Sequence, residues 1–371
     1  MSYTCEPAAR KVAEQLGFSC DGANPVITFR NPFDLAHWTM PLLELLIIGG
    51  AVFAFVHAWR RWRRDGDATN IALWFASLVY LAVVEPPLYF PSWFGLDHYV
   101  GFVFSHNVFT VQLMYDRLPL YIVAFYTVIS QLTYEVVRVV GVFARRGAAL
   151  GAVATAFACQ VFYEIFDQIG PQLRWWAWNH DNAVNQPMLA SVPMNSMWVF
   201  ASVSFGVMTW LVVRLVGGVP RSGWQVAWRT VVAGVLTPVL MVVGAAPTRV
   251  GVGSGGGHGV QLGLIVGLLG LLWLAGLWLL GEATVRTWGG SSVGSPGFVR
   301  VYPAVYLAAH VFFWVTALPA YLQASGGITK DGTPIGSGWY ALACFLASGW
   351  LVVAATRATR ATSVALDPVT T

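Results

Sequence analysis

Nine apolar stretches, each long enough to cross a bilayer, leave this chain few ways to fold. They run over residues 38–58, 70–90, 118–142, 147–168, 191–215, 226–246, 260–281, 300–322 and 339–356, and a spanning helix needs roughly 17 to 25 residues. Of the 371 residues, 57% are hydrophobic and 10% charged, whereas soluble domains carry about 25% charged residues. Inside a bilayer no water satisfies the backbone amides, so such segments must be helical. The expected fold is all-α, a polytopic integral membrane bundle of about nine transmembrane helices. A further apolar run, 99–109, is too short to span and reads as a re-entrant or interfacial segment.

The basic residues orient the bundle. Alternate loops hold Arg60, Arg61, Arg63 and Arg64, then Arg138, Arg145 and Arg146, then Arg214, Arg221 and Arg229, then Arg286 and Arg300, and finally Arg357 and Arg360. The opposite side holds half as many, and cytoplasmic loops are the ones enriched in Lys and Arg. This places the N-terminus outside and the C-terminus in the cytoplasm. The chain then divides into an extracytoplasmic segment 1–37, a helical membrane domain 38–356 and a cytoplasmic tail 357–371. Two lysines against 19 arginines suggest GC-rich codons, and hence the plasma membrane of a bacterium.

Cys159 and Cys344 fall inside apolar helices and read as packing residues. Cys5 and Cys20 bracket a short amphipathic helix over Ala8–Leu16. On the outer side they are suited to a disulfide, while a cytoplasmic tail would leave two free thiols. Met1–Pro32 lacks the apolar core of a cleavable signal peptide. The outer loops 91–117 and 169–190 are long and aromatic, which reads as a lid rather than a linker. The run Gly251–Gly257 lacks the Lys and Ser/Thr of a phosphate-binding loop and reads as a flexible turn. The halves show no repeat, and Pro86, Pro87, Pro238, Pro303 and Pro319 sit near helix ends or kink a helix locally, which weighs against a secondary transporter.

Two carboxylates demand a reason. Glu164 and Asp167 lie three residues apart at the end of the fourth stretch, with Gln160 one turn earlier, so the three are expected on one polar helix face. An ionised acid at the bilayer centre costs roughly 2.5 to 3.5 kcal/mol, and such residues face a bundle interior or cavity. A carboxylic acid there is a proton donor. Trp175, Trp176 and Trp178 follow, and an indole face stabilises a cation by roughly 0.5 to 2 kcal/mol. Acid beside aromatic wall suggests carbocation chemistry; the plainer reading of the indoles is an interfacial aromatic belt.

Other polar residues fall at the same depth: Glu44, Glu85, Asp116 with Arg117, and Asn195, with His310 as a further candidate. Their convergence would build one pocket between five helices. Asp116 and Arg117 also read as a local ion pair. Glu135 with Arg138, and Glu282 with Arg286, are spaced to neutralise each other near the cytoplasmic interface. None of the seven histidines pairs at the spacing of a helical zinc site, so no metal and no cofactor is expected.

The run Asp167-Gln168-Ile169-Gly170-Pro171 through Trp176-Ala177-Trp178, followed by Ser191-Val192-Pro193-Met194-Asn195-Ser196, resembles the integral-membrane carotenoid hydratases of bacterial carotenoid pathways. Gln168 stands where that family's pattern carries Pro, and Asn195 is displaced by about a residue. The resemblance implies addition of water to a terminal isoprenoid double bond, through protonation to a tertiary cation.

Three functions are therefore expected to compete. In the first, a membrane enzyme protonates a polyprenoid or carotenoid-like lipid, by hydration, cyclisation or isomerisation. Its proton donor is Glu164 or Asp167, and Glu85 is relay or water-activating base; Glu44, Asp116, Arg117, the three indoles, Asn195 and His310 line the site. In the second, a proton-coupled transporter or lipid flippase uses the same acids as a relay. In the third, a non-catalytic subunit docks an envelope partner. Expected partners are a membrane lipid or isoprenoid, and a further copy or another membrane protein; nucleic acid is not expected.

Overall fold

The structure, a computed structural model, describes residues 3–249, 257–287 and 297–364. Among the described residues nine helices are long and apolar enough to cross a membrane, making this a multi-pass membrane protein. Helix α1, Pro7–Gln15, precedes them. The spans begin with α2 (Met40–Asp65), α3 (Thr69–Tyr89), α4 (Leu120–Val139) and α5 (Val142–Asp167). The fifth span is α6 (Met194–Trp198), a π-helical turn (Val199–Ser204) and α7 (Phe205–Leu215) in succession. Then follow α8 (Gly223–Ala245), α9 (Gly257–Thr287), α10 (Gly297–Leu322) and α11 (Gly338–Val364). The glycine-rich turn expected over Gly251–Gly257 lies outside the described residues, apart from Gly257 at the start of α9.

Local chemistry sets the helix ends. Pro41 opens α2, and Gly66 closes it with φ 69°, a left-handed conformation that glycine adopts without strain. Arg63 and Arg64 sit in its last turn, where cations complement the helix dipole. The Asp67 carboxylate accepts the Thr69 amide at 2.9 Å, satisfying one free amide at the start of α3. Ser222 and Gln225 cap α8 reciprocally.

The bundle is built around α4 and α5. Of their most apolar windows 89% and 78% are buried, against 28% for the spans over α8 and α9. Side chains on the central pair therefore meet protein rather than lipid, which is where polar groups are tolerated.

At the end where α4 and α6 begin, the long loops form a cap. Strands β1 (Ile27–Phe29), β3 (Val111–Leu113) and β4 (Leu118–Pro119) make one antiparallel sheet, in the order β1-β3-β4. Strand β2 (Phe104–His106) pairs antiparallel with β5 (Trp176–Trp178), setting His106 opposite Trp176 and Phe104 opposite Trp178. Strands β6 (Met188–Leu189) and β7 (Val192–Pro193) form a small hairpin. The two loops read as a lid are thus one paired structure. The 99–109 run is no re-entrant helix: its centre is the extended strand β2, paired with β5.

Helix α1 rests on this cap through Ala9 and Val12, which pack with Phe102 and Ala177. Cys5 and Cys20 are disulfide-bonded, with Cα atoms 6.0 Å apart, and Arg10 donates to Asp21 beside them at 3.1 Å. Cys159 and Cys344 are free and buried.

Candidate active site

The end of α5 presents two faces. Gln160, Glu164 and Gln168 repeat every four residues toward α11, while Tyr163, Phe166 and Asp167 turn toward α3 and α4. The single polar face expected from the sequence is therefore divided, since three residues span roughly 300° of helical rotation and leave the side chains about 60° apart.

Asp167 opens on a small cavity of about 40 Å³ beneath the cap. Glu85 from the last turn of α3 reaches it, as do Tyr126 and Phe125 of α4, Ser196 of α6, and His106, Trp176 and Trp178 from the paired strands. Trp176 and Trp178 share a face because strand side chains alternate, and Ala177 turns the other way, toward α1. Gly170 makes the turn above them compact, because a Cβ there would stand 2.0 Å from the Trp176 ring.

The hydrogen bonds around this cavity are incomplete. The Tyr126 hydroxyl donates to Glu85 Oε1, but Glu85 Oε2, Asp167 Oδ2 and the indole nitrogens Nε1 of Trp176 and Trp178 have no protein partner. Glu85 and Asp167 are 3% and 2% exposed, so these atoms lack bulk water as well. A buried polar group left unpaired costs about 1 to 3 kcal/mol. Two acceptors and two donors around a space of this size can share one or two waters, each needing two to four polar partners.

His106 joins the cavity wall, with Nδ1 3.0 Å from the Tyr121 hydroxyl. Burial pushes its pKa down to about 3, so the imidazole is neutral near pH 7. The unfolded chain takes up a proton on this residue below roughly pH 6.5, while the folded chain does not until about pH 3. Its contribution to stability is therefore full above pH 6.5 and lost as pH falls from there to about 3, at up to roughly 1.4 kcal/mol per unit. The melting midpoint, followed by tryptophan fluorescence, is expected to drop with acidification over that range. His106→Gln should flatten this dependence; an unchanged slope would contradict the assignment.

The remaining sequence candidates do not line the cavity. Glu164 Oε2 accepts from Gln168 Nε2 at 3.0 Å, and Gln168 Oε1 in turn accepts the Ser337 amide at 2.7 Å, at the entrance to α11. Glu44 accepts the Thr110 hydroxyl. Asn195 donates to the carbonyls of Val184 and Gln186 at 2.9 and 3.0 Å, holding the loop before α6. Trp175 is fully buried behind the cavity, stacked 5.7 Å from Phe166, and its Nε1 donates to Thr39 at 3.0 Å. His310 binds the Tyr306 carbonyl through Nδ1 at 2.8 Å.

Asp116 and Arg117 are not a pair. Three successive residues with positive φ, Met114, Tyr115 and Asp116, turn the two side chains apart. Asp116 faces Arg30 at 3.6 Å, and Arg117 is buried beside Cys5 Sγ at 3.2 Å and the Phe102 ring at 5.5 Å. Nor are the three indoles an exposed belt, since all three are buried. Five helices thus do not build one pocket. Two acids from α3 and α5 do, in a wall of aromatic rings and hydroxyls of which His106, Tyr126, Tyr163 and Ser196 were not anticipated.

Comparison with family profiles, with characterised proteins and with solved structures gives no match to the chain.

Proposed function

We propose that this protein is a bacterial plasma-membrane enzyme that protonates a double bond of a polyprenoid or carotenoid-like lipid, with its cap outside and its C-terminus cytoplasmic. One observation carries the reading: Glu85 and Asp167, from different helices, open on the same small, aromatic-walled cavity with unpaired polar atoms. In the step envisaged, Asp167 gives its proton to the CH carbon of a terminal dimethylvinyl group, and a tertiary cation forms on the carbon that bears the two methyls. The aromatic wall favours that cation by roughly 0.5 to 2 kcal/mol per ring when water is scarce.

Water held by Glu85 and the indole N–H groups then adds to the cation, its oxygen forming the new C–O bond while Glu85 accepts the proton released. The proton returns to Asp167 through the cavity, and the net change is addition of water. If Glu85 instead removes a proton from a carbon beside the cation, the outcome is isomerisation; if a second double bond of the substrate first attacks the cation to form a C–C bond, proton loss from the resulting cyclic cation gives cyclisation. A cavity of about 40 Å³ admits water but no isoprenyl end, so wall side chains must move for substrate to enter. The similarity of Asp167–Ser196 to carotenoid hydratases supports the same class, and Ser196 is itself a wall residue.

The test is mass spectrometry of lipids retained by the purified protein, followed by incubation with long-chain isoprenoids in isotopically labelled water. A retained isoprenoid and label in the product are the expected results. Ordinary phospholipid alone with no product would refute the reading. Proton uptake into vesicles that Glu85→Gln abolishes would assign a transporter instead.

A further inference from the structure

A second apolar space lies on the lipid-facing side of the bundle. It is an open groove of about 460 Å³ between α2 and α10, walled by Leu46, Phe53, Val305 and Phe313. Sites for drug-sized ligands fall in the range of roughly 300 to 1,000 Å³, so the groove accommodates a chain that the inner cavity cannot. Gly49 forms part of its floor, and a Cβ there would meet nothing within 4 Å.

The groove and the acid cavity are separated by three aromatic rings in contact. Phe313 lines the groove, Trp175 lies edge to face against it at 5.1 Å, and Phe166 stacks on the far side of Trp175 at 5.7 Å while lining the cavity. His310 stands in the same partition, 5.7 Å from Phe313 and 6.1 Å from Phe166. Its Nε2 is buried without a partner, although buried polar atoms are normally satisfied. A packed core would place an apolar residue there. An unsatisfied imidazole suits a partition that opens to a ligand or a water.

We infer that the α2–α10 groove admits the hydrocarbon chain of an isoprenoid, and that Phe313, Trp175 and Phe166 form the gate through which its reactive end reaches Glu85 and Asp167. The inference rests on the proposed activity for its choice of occupant. Ordinary acyl lipid would fill the groove as hydrocarbon but has no branched end to pass the gate. A comparably large groove, bounded by α5, α7 and α9, is separated from the acid cavity by the α6–α7 span, which lines both through Trp198 and Ser202 on one side and Ser196 and Phe200 on the other, rather than by a run of packed rings.

The test uses the full chain in lipid nanodiscs with two photoreactive probes, a polyprenol and a phosphatidylcholine, and maps the crosslinked peptides. The polyprenol is expected to label α2 around Leu46 and α10 around Val305 in preference to the phospholipid. Gly49→Phe fills the groove without a backbone clash and should reduce that labelling about tenfold. Gly263→Phe, on α9 where a Cβ also meets nothing within 4 Å, should leave it unchanged.

Equal labelling by both probes, labelling confined to the α5–α7–α9 groove, or no effect of Gly49→Phe would overturn the inference. Crosslinking of the unsubstituted protein decides the location even if a variant fails to fold. Because labelling requires no turnover, an inactive protein labelled at this groove would overturn the chemistry and leave the entrance standing. An active protein labelled elsewhere would do the reverse.

Discussion

Asp167→Asn is expected to lower isoprenoid turnover by about 10²- to 10⁴-fold, the usual contribution of a positioned general acid. Asparagine matches aspartic acid in size, so it fits a wall of a cavity of about 40 Å³ without repacking. Because Asp167 Oδ2 has no protein partner, the substitution breaks no hydrogen bond and the melting midpoint should hold. What disappears is the transferable proton. Glu85→Gln should be comparably damaging, since the amide still accepts from Tyr126 but cannot take a proton from water.

Glu164→Gln separates this assignment from the paired-acid reading. Glu164 accepts from Gln168 and faces α11, so its loss should change turnover far less than the loss of Asp167. Product formation in labelled water measures all three. Full activity in both Asp167→Asn and Glu85→Gln would remove the chemical proposal. A larger loss in Glu164→Gln than in Asp167→Asn would transfer the acid to the other face of α5.

The helices were legible because lipid imposes a length and a polarity that few other contexts require. The nine stretches expected from the sequence match nine helices to within several residues at most ends, and α1 appears where the amphipathic pattern placed it. The site was legible in part. Asp167, Glu85, Trp176 and Trp178 do converge, but their shared depth could not show azimuth around the bundle. Depth alone grouped Glu44, Asp116, Arg117, Asn195 and His310 with them, and each proved to lie outside the cavity, with at least one polar contact elsewhere.

The cap was hidden for a different reason. Strands of two or three residues carry almost no periodic signal, and the register that sets His106 against Trp176 joins segments 70 residues apart in sequence. His106 was visible only as one of two histidines, with His98, in the loop 91–117. Tyr126 and Tyr163 were hidden among helix residues that read as apolar packing. A phenol inside an apolar stretch is the signal that could have found them, because a buried Tyr hydroxyl normally has a polar partner.

Glu135→Leu is expected to destabilise the bundle by roughly 3 to 5 kcal/mol, because it strands cations that the folded chain has buried. The sequence read Glu135 and Arg138 as a pair at the interface, but Glu135 is fully buried and joins four partners. It accepts from Arg138 at 2.6 and 2.8 Å, from Arg61 at 3.3 Å and from Asn70 at 3.0 Å, with His57 Nε2 3.1 Å away. These partners come from α2, α3 and α4, and the His57 ring stacks on Phe298 of α10 at 5.5 Å. One carboxylate thus holds four spans at the end opposite the cap. Its removal should lower the apparent melting midpoint in detergent by several degrees and leave the acid cavity intact. Replacing Arg138 with Met in the same chain should recover part of the loss, since Arg138 pairs with Glu135 and would otherwise be left stranded, whereas Arg61 keeps Asp67 as a partner. If Glu135→Leu melts with the unsubstituted protein, the cluster contributes nothing to cohesion, and the four spans are held by apolar packing alone.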